Sequence, residues 1–152
     1  MTQEKKDLLL RDLSTRLPYG VKVHAKVIDT DTNTEVEKVG ELSMIDTDTV
    51  VAFTTDDTNC YIYVTINEIK PYLFPLSSMT DKLWDKEFRG YNITEFTRDS
   101  FKYGCETLEF YDHNPDLSDM IGFINQLIKN HFDIYGLIPK GLAKDATGLN
   151  IY

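Results

Sequence analysis

From Val21 the apolar residues fall at every second position: Val21, Val23, Ala25 and Val27 alternate with Lys22, His24, Lys26 and Ile28. That period is the mark of a strand with one buried face. Three further segments follow, Val36 to Ile45, Thr49 to Thr55 and Cys60 to Ile66. Each is short, rich in β-branched and aromatic residues, and set off by Asp, Thr and Asn clusters. Strands joined by such brief links run up and down beside one another. The pattern predicts a four- or five-stranded antiparallel meander over about residues 20–70. Gly40 interrupts the second segment, where a bend or bulge would let the sheet curl. The predicted fold is therefore α+β: a small antiparallel sheet curled as an SH3-like barrel, with N-terminal and C-terminal helices packed on it. An open antiparallel sheet covered by helices is the alternative.

The flanks carry the helical signals. Thr2 is placed to cap a helix in which Leu9, Leu10, Leu13 and Leu17 lie near the spacing of a buried stripe, and Pro18 and Gly20 end it. Beyond the sheet, Pro71 and Pro75 exclude a continuous helix in the exit segment Glu68 to Phe88. With Thr80 as cap, Met79 and Trp84 form the pair of a hydrophobic staple. Asn114 and Pro115 then open a helix with Leu117, Met120, Ile121, Ile124, Leu127 and Ile128 on one stripe. Residues between Gly90 and Tyr111 keep neither period; an irregular stretch and a short strand near Thr107 to Tyr111 are expected there. A chain of 152 residues without repeats or low-complexity breaks reads as a single domain, 1–152, helical over about 79–152.

Charge and cysteine usage narrow the function classes. Sixteen Lys plus Arg stand against 25 Asp plus Glu, a net charge of -9 dispersed along the chain. Such a surface repels phosphate backbones, disfavours direct nucleic-acid binding and suits a basic partner. Cys60 and Cys105 lack metal or redox spacing and read as reduced thiols of a cytoplasmic protein. No apolar run approaches the ~18 residues of a membrane span, and the amino terminus has the charge pattern of neither a signal peptide nor an anchor. The sequon at Asn92 carries no weight in a protein that stays inside the cell.

Four groups are candidates for a site. Asp29, Asp31, Asn33 and Glu35 fall at alternate positions, like the first ligands of a calcium loop. Such a loop needs glycine at its sixth position and glutamate at its twelfth, where this chain has Thr34 and Gly40. Turn-forming side chains at a hairpin tip explain the alternation instead. In a meander, Asp29 and Asp31 would approach Asp56 and Asp57, giving an acidic patch for a basic partner or a weak cation site. Tyr72, Phe74 and Trp84 are the aromatic residues of the exit segment, able to rim a groove or fill a core. Cys105, with His113 and Asp112, is the only thiol near a histidine, as nucleophilic catalysis would require. His131, ending the strong helix, fits a charge interaction with that helix's carboxyl end. Phosphate-binding glycine loops and zinc spacings are absent, and no cofactor is implied.

Three stretches, RLPYGVKV at Arg16 to Val23, EIKPYLFPLSSMT at Glu68 to Thr80 and HFDIYGLIPKGLAKDA at His131 to Ala146, resemble a group of small uncharacterised proteins of gut Bacteroidetes and their phages or prophages. The resemblance implies an origin, with no activity, cofactor or catalytic residue attached to it. The resulting expectation is a non-enzymatic protein-interaction module binding a host or phage protein. The alternatives are a small hydrolase or nucleotide-modifying enzyme using Cys105 and His113, and an acidic mimic of nucleic acid.

Overall fold

The structure, a computed structural model, describes residues 1–46, 50–55, 58–91 and 117–152. Helix α1 (Gln3–Arg16) starts where the Thr2 hydroxyl accepts the Lys5 amide, and a single 3-10 turn, Leu17–Tyr19, leads to Gly20 in the left-handed region. Five strands follow: β1 (Lys22–Ile28), β2 (Glu35–Ile45), β3 (Val50–Thr55), β4 (Thr58–Thr65) and β5 (Ile69–Leu73). A second 3-10 turn, Leu76–Ser78, precedes α2 (Asp81–Glu87), and α3 spans Leu117–Lys129. After α3 the chain runs through turns to β6 (Lys144–Asp145). Among the described residues no helix is long and apolar enough to cross a membrane.

The α+β class with an N-terminal helix agrees with the sequence reading; the curled SH3-like barrel does not. The ladder runs β4-β3-β2-β1-β5-β6 and is not closed. β5 adds antiparallel to β1, pairing Val23 with Pro71 and Ala25 with Ile69. The far edge of β5 then takes β6 in parallel, with Tyr72 beside Lys144, and a bridge from Phe74 to Phe132 extends the cover. The edge that β4 would need for closure is thus occupied by the C-terminal segment, and the sheet is mixed rather than antiparallel. Gly40 also has a different role from the one expected. The register shift falls between Leu42 and Met44, whereas Gly40 lies where β3 crosses closest: a Cβ there would stand 2.2 Å from the Thr54 carbonyl oxygen.

Two apolar clusters hold the elements. The inward face of the sheet, including Val23, Ala25, Leu42, Phe53 and Ile69, packs on Leu9 and Leu13 of α1 and on Leu137 and Leu142. Each fully buried Leu or Phe contributes about 1.5–3 kcal/mol. The second cluster gathers Leu76, Met79, Trp84, Phe88, Phe123, Leu127 and Phe132. Thr80 caps α2 by accepting the Leu83 amide at 3.2 Å, with Met79 and Trp84 buried on either side as the staple pattern predicts.

Between the clusters lies Arg16, wholly buried. Its Nε and Nη2 donate to both oxygens of Asp12 at 2.8 Å, Nη1 donates to the Ile128 carbonyl at 3.2 Å and Nη2 to that of Phe132 at 2.7 Å. Its neighbour His131 closes α3 in the left-handed region at φ 60°, where the His131 amide donates to Ile128 and the Phe132 amide to Leu127. This is the two-bond C-terminal cap usually given to glycine. The His131 ring stacks on Tyr152 at 4.1 Å, and the Tyr152 hydroxyl donates to the Tyr72 carbonyl while accepting the Lys22 amide.

A charge interaction of His131 with the helix end is therefore not what the structure contains. Burial, reinforced by the Arg16 guanidinium, lowers the imidazole pKa from 6.5 to about 4 and keeps the ring neutral. Because the unfolded ring takes its proton near pH 6.5, this stability is complete above that pH and drains away as pH falls toward 4. The loss is about 2 kcal/mol once solvent at the ring edge is allowed for. Comparing urea midpoints of the parent and His131→Asn from pH 7.5 to 4 checks it: the pH slope should shrink in the variant, and equal slopes would refute the assignment.

Candidate functional site

The outward face of the sheet carries the polar alternates of the strand pattern. In register, His24 stands between Val39 of β2 and Lys70 of β5, and Lys26 stands beside Glu37. Directly opposed residues on one face lie about 4.5–5.5 Å apart at Cβ, close enough for charged side chains to choose partners. Lys26 Nζ reaches Glu35 at 2.5 Å, Lys22 approaches Glu41 at 3.7 Å, and the His24 Nε2 lies 3.1 Å from a Glu37 oxygen. That last pair stands at hydrogen-bond distance but is poorly aligned, and the buried Nε2 has no other partner. The neighbouring imidazole and the Lys144 charge together hold the Glu37 carboxyl below its ordinary range.

These groups open onto a cleft of about 510 Å³ lined by residues of β1, β2, β4, the β4–β5 turn, β5 and β6. Its floor includes His24, only 6% exposed, with the Tyr72 ring edge-on to it at 6.4 Å and Lys144 Nζ over that ring at 5.8 Å. At the β4–β5 turn, Glu68 accepts both the amide and the hydroxyl of Thr65 at 2.8 Å. Tyr63 forms part of the rim. Among the described residues the cleft lining is dominated by His24, lysines, glutamates and Asn67, groups suited to binding polar ligands.

Beside the cleft, β4 ends the ladder, and among the described residues its outer edge has no strand paired to it. Its sequence, TNCYIYVT, contains no charge, proline or glycine. Tyr61 and Tyr63 project outward, 59% and 61% exposed, with their rings 6.5 Å apart.

The sequence candidates are dispersed. Asp29 sits at the β1–β2 turn, where its carboxylate accepts the Asp31 and Thr32 amides at 2.9 and 3.1 Å; those bonds, Thr32 foremost, lower its pKa. This is the turn chemistry expected of a hairpin tip. Among the described residues no three His, Cys, Asp or Glu side chains gather as metal ligands. Tyr72 lies beneath Lys144, Phe74 packs between Phe132 and Tyr152, and Trp84 is buried against Phe88 and Phe123. Asp56, Asp57, Cys105, Asp112 and His113 lie outside the described residues, as do the Asn114 cap and the strand expected near residue 107. Sequence reasoning passed over Tyr61 and Tyr63, although the alternation in CYIYVTI sets both opposite Ile62 and Val64. It had no signal for Lys144, which reaches Tyr72 across 72 residues of chain. Comparison with protein families, curated proteins and solved structures finds no match.

Proposed function

We propose that the chain is a cytoplasmic protein-interaction module that receives an extended segment of a partner protein along strand β4. The observation that carries the reading is the edge from Tyr61 to Thr65, which lies beyond the register shift at the start of β4 and bears no guarding residue. Edge strands ordinarily bear lysine, proline or a bulge that turns other strands away, because an unpaired row of amides and carbonyls is a template for pairing. TNCYIYVT carries neither charge nor proline, and it presents two exposed tyrosines, a residue type enriched where proteins meet. The chain's charge of -9 favours a partner with basic residues flanking an apolar strand. The origin implied by the resemblance would make that partner a host or phage protein.

The test compares the parent with a Tyr61→Lys/Tyr63→Lys variant, both immobilised and exposed to lysate at low and moderate salt. Such surface changes alter stability by only about 0.5 kcal/mol. The parent should retain one stoichiometric partner that the variant loses, with slowed amide exchange along β4 in the complex. Equal capture by both proteins, or unchanged exchange in β4, would overturn the reading.

A further inference from the structure

We infer that the cleft beside β4 binds a phosphomonoester group, held by Lys70, Lys144 and the His24 imidazole. This site shares Tyr63 with the β4 surface but does not depend on strand pairing there.

Some of the charges in the cleft already have partners. Glu35 is paired with Lys26, and Glu68 accepts two hydrogen bonds from Thr65. Lys70 and Lys144 have no carboxylate within ion-pair distance among the described residues; Lys144 rests over the Tyr72 ring. The ladder gathers them: Lys70 is the direct cross-strand partner of His24, and Lys144 is the partner of Tyr72, whose ring edge meets His24. Two ammonium groups outside any close ion pair can meet a phosphomonoester dianion once Glu37, on which the Lys144 charge acts, swings away and while Glu68 stays turned to Thr65; lysine binds phosphate as a mobile point charge.

His24 supplies the second, independent observation. Its Nε2 is shut off from solvent and makes no well-aligned hydrogen bond, its nearest acceptor being the exposed Glu37 carboxylate. A phosphate oxygen entering between Lys70 and Lys144 offers that nitrogen an acceptor for its proton. Glu37 is the competitor for the position, since its carboxylate stands 3.1 Å from Nε2. Its side chain is 63% exposed and can swing into solvent when an anion enters. In a chain of charge -9, attraction at the contact must exceed repulsion from a distance, so binding should weaken with salt and strengthen when Glu37 is neutralised.

The probe is inorganic phosphate, titrated at pH 7.5 and constant ionic strength, with the His24 ring signals followed by NMR and identified by their loss in His24→Gln. A saturable displacement at millimolar phosphate is expected, absent with chloride. It should be at least tenfold weaker in Lys70→Gln/Lys144→Gln and several-fold tighter in Glu37→Gln, three substitutions outside both apolar clusters. A displacement that chloride reproduces, or one that persists unweakened in the double variant, means nonspecific ion binding and overturns the site. Absence of any displacement in both the parent and Glu37→Gln overturns it as well.

Discussion

Replacing Arg16 with Met is expected to destabilise the folded chain by about 3–5 kcal/mol, seen as a fall in the urea midpoint at pH 7. Arg16 and Asp12 are both completely buried and bonded to each other twice. Removing the guanidinium leaves the Asp12 carboxylate without its counter-charge, and burial then pushes that carboxyl up unopposed. It also takes the guanidinium donors from the carbonyls of Phe132 and of Ile128, the latter keeping only the His131 amide. The double change Asp12→Leu/Arg16→Met removes both charges and should recover a good part of the loss, because paired charges replaced together by apolar groups cost far less than one left alone. A single variant as stable as the parent would show that the pair carries no such role.

Gly40→Ala is the second large effect. The added methyl would meet the Thr54 carbonyl oxygen at 2.2 Å and the Phe53 ring at 2.7 Å, well inside any tolerated contact. Neither neighbour is a flexible side-chain end: one is the backbone of β3 and the other is fixed in the main apolar cluster. The strands must separate locally, at about 3 kcal/mol, the upper end of what overpacking costs. Gly90→Ala is the matched control, since a Cβ there meets nothing within 4 Å and should leave Tm unchanged. Equal Tm values for the two variants would rule out close strand approach as the reason for glycine at position 40.

The contrast between these glycines marks how far local pattern reaches. Alternation in VKVHAKVI and CYIYVTI located β1 and β4 to within a few residues, because a period of two is a property of the strand itself. Thr80 with Met79 and Trp84 located the start of α2 for the same reason. What alternation cannot state is which edge of a sheet a later segment will occupy. β6 is two residues long and has no signature of its own, yet its position on β5 is what leaves the ladder open. The buried charge was equally hidden: nothing local distinguishes Asp12 and Arg16 from an exposed i, i+4 pair, and the distant carbonyls of Ile128 and Phe132 help make the interior hospitable to them. The candidate cleft was half legible. His24 was placed on the polar alternates of β1, whereas Lys70, Tyr72 and Lys144 meet it only through the β5–β6 pairing.

The bonds of Arg16 also bear on the order in which the molecule can assemble. Its carbonyl partners stand 112 and 116 residues farther along the chain. While a ribosome is still synthesising the strands, α1 has its apolar face ready and Asp12 beside the guanidinium, but the carbonyls that complete the buried bonding are not yet made. The first helix must therefore wait for almost the last part of the chain. Closing so long a loop is entropically slow. The sheet can form its neighbouring hairpins early, and the long-range contact of Arg16 with the end of α3 is expected to follow them.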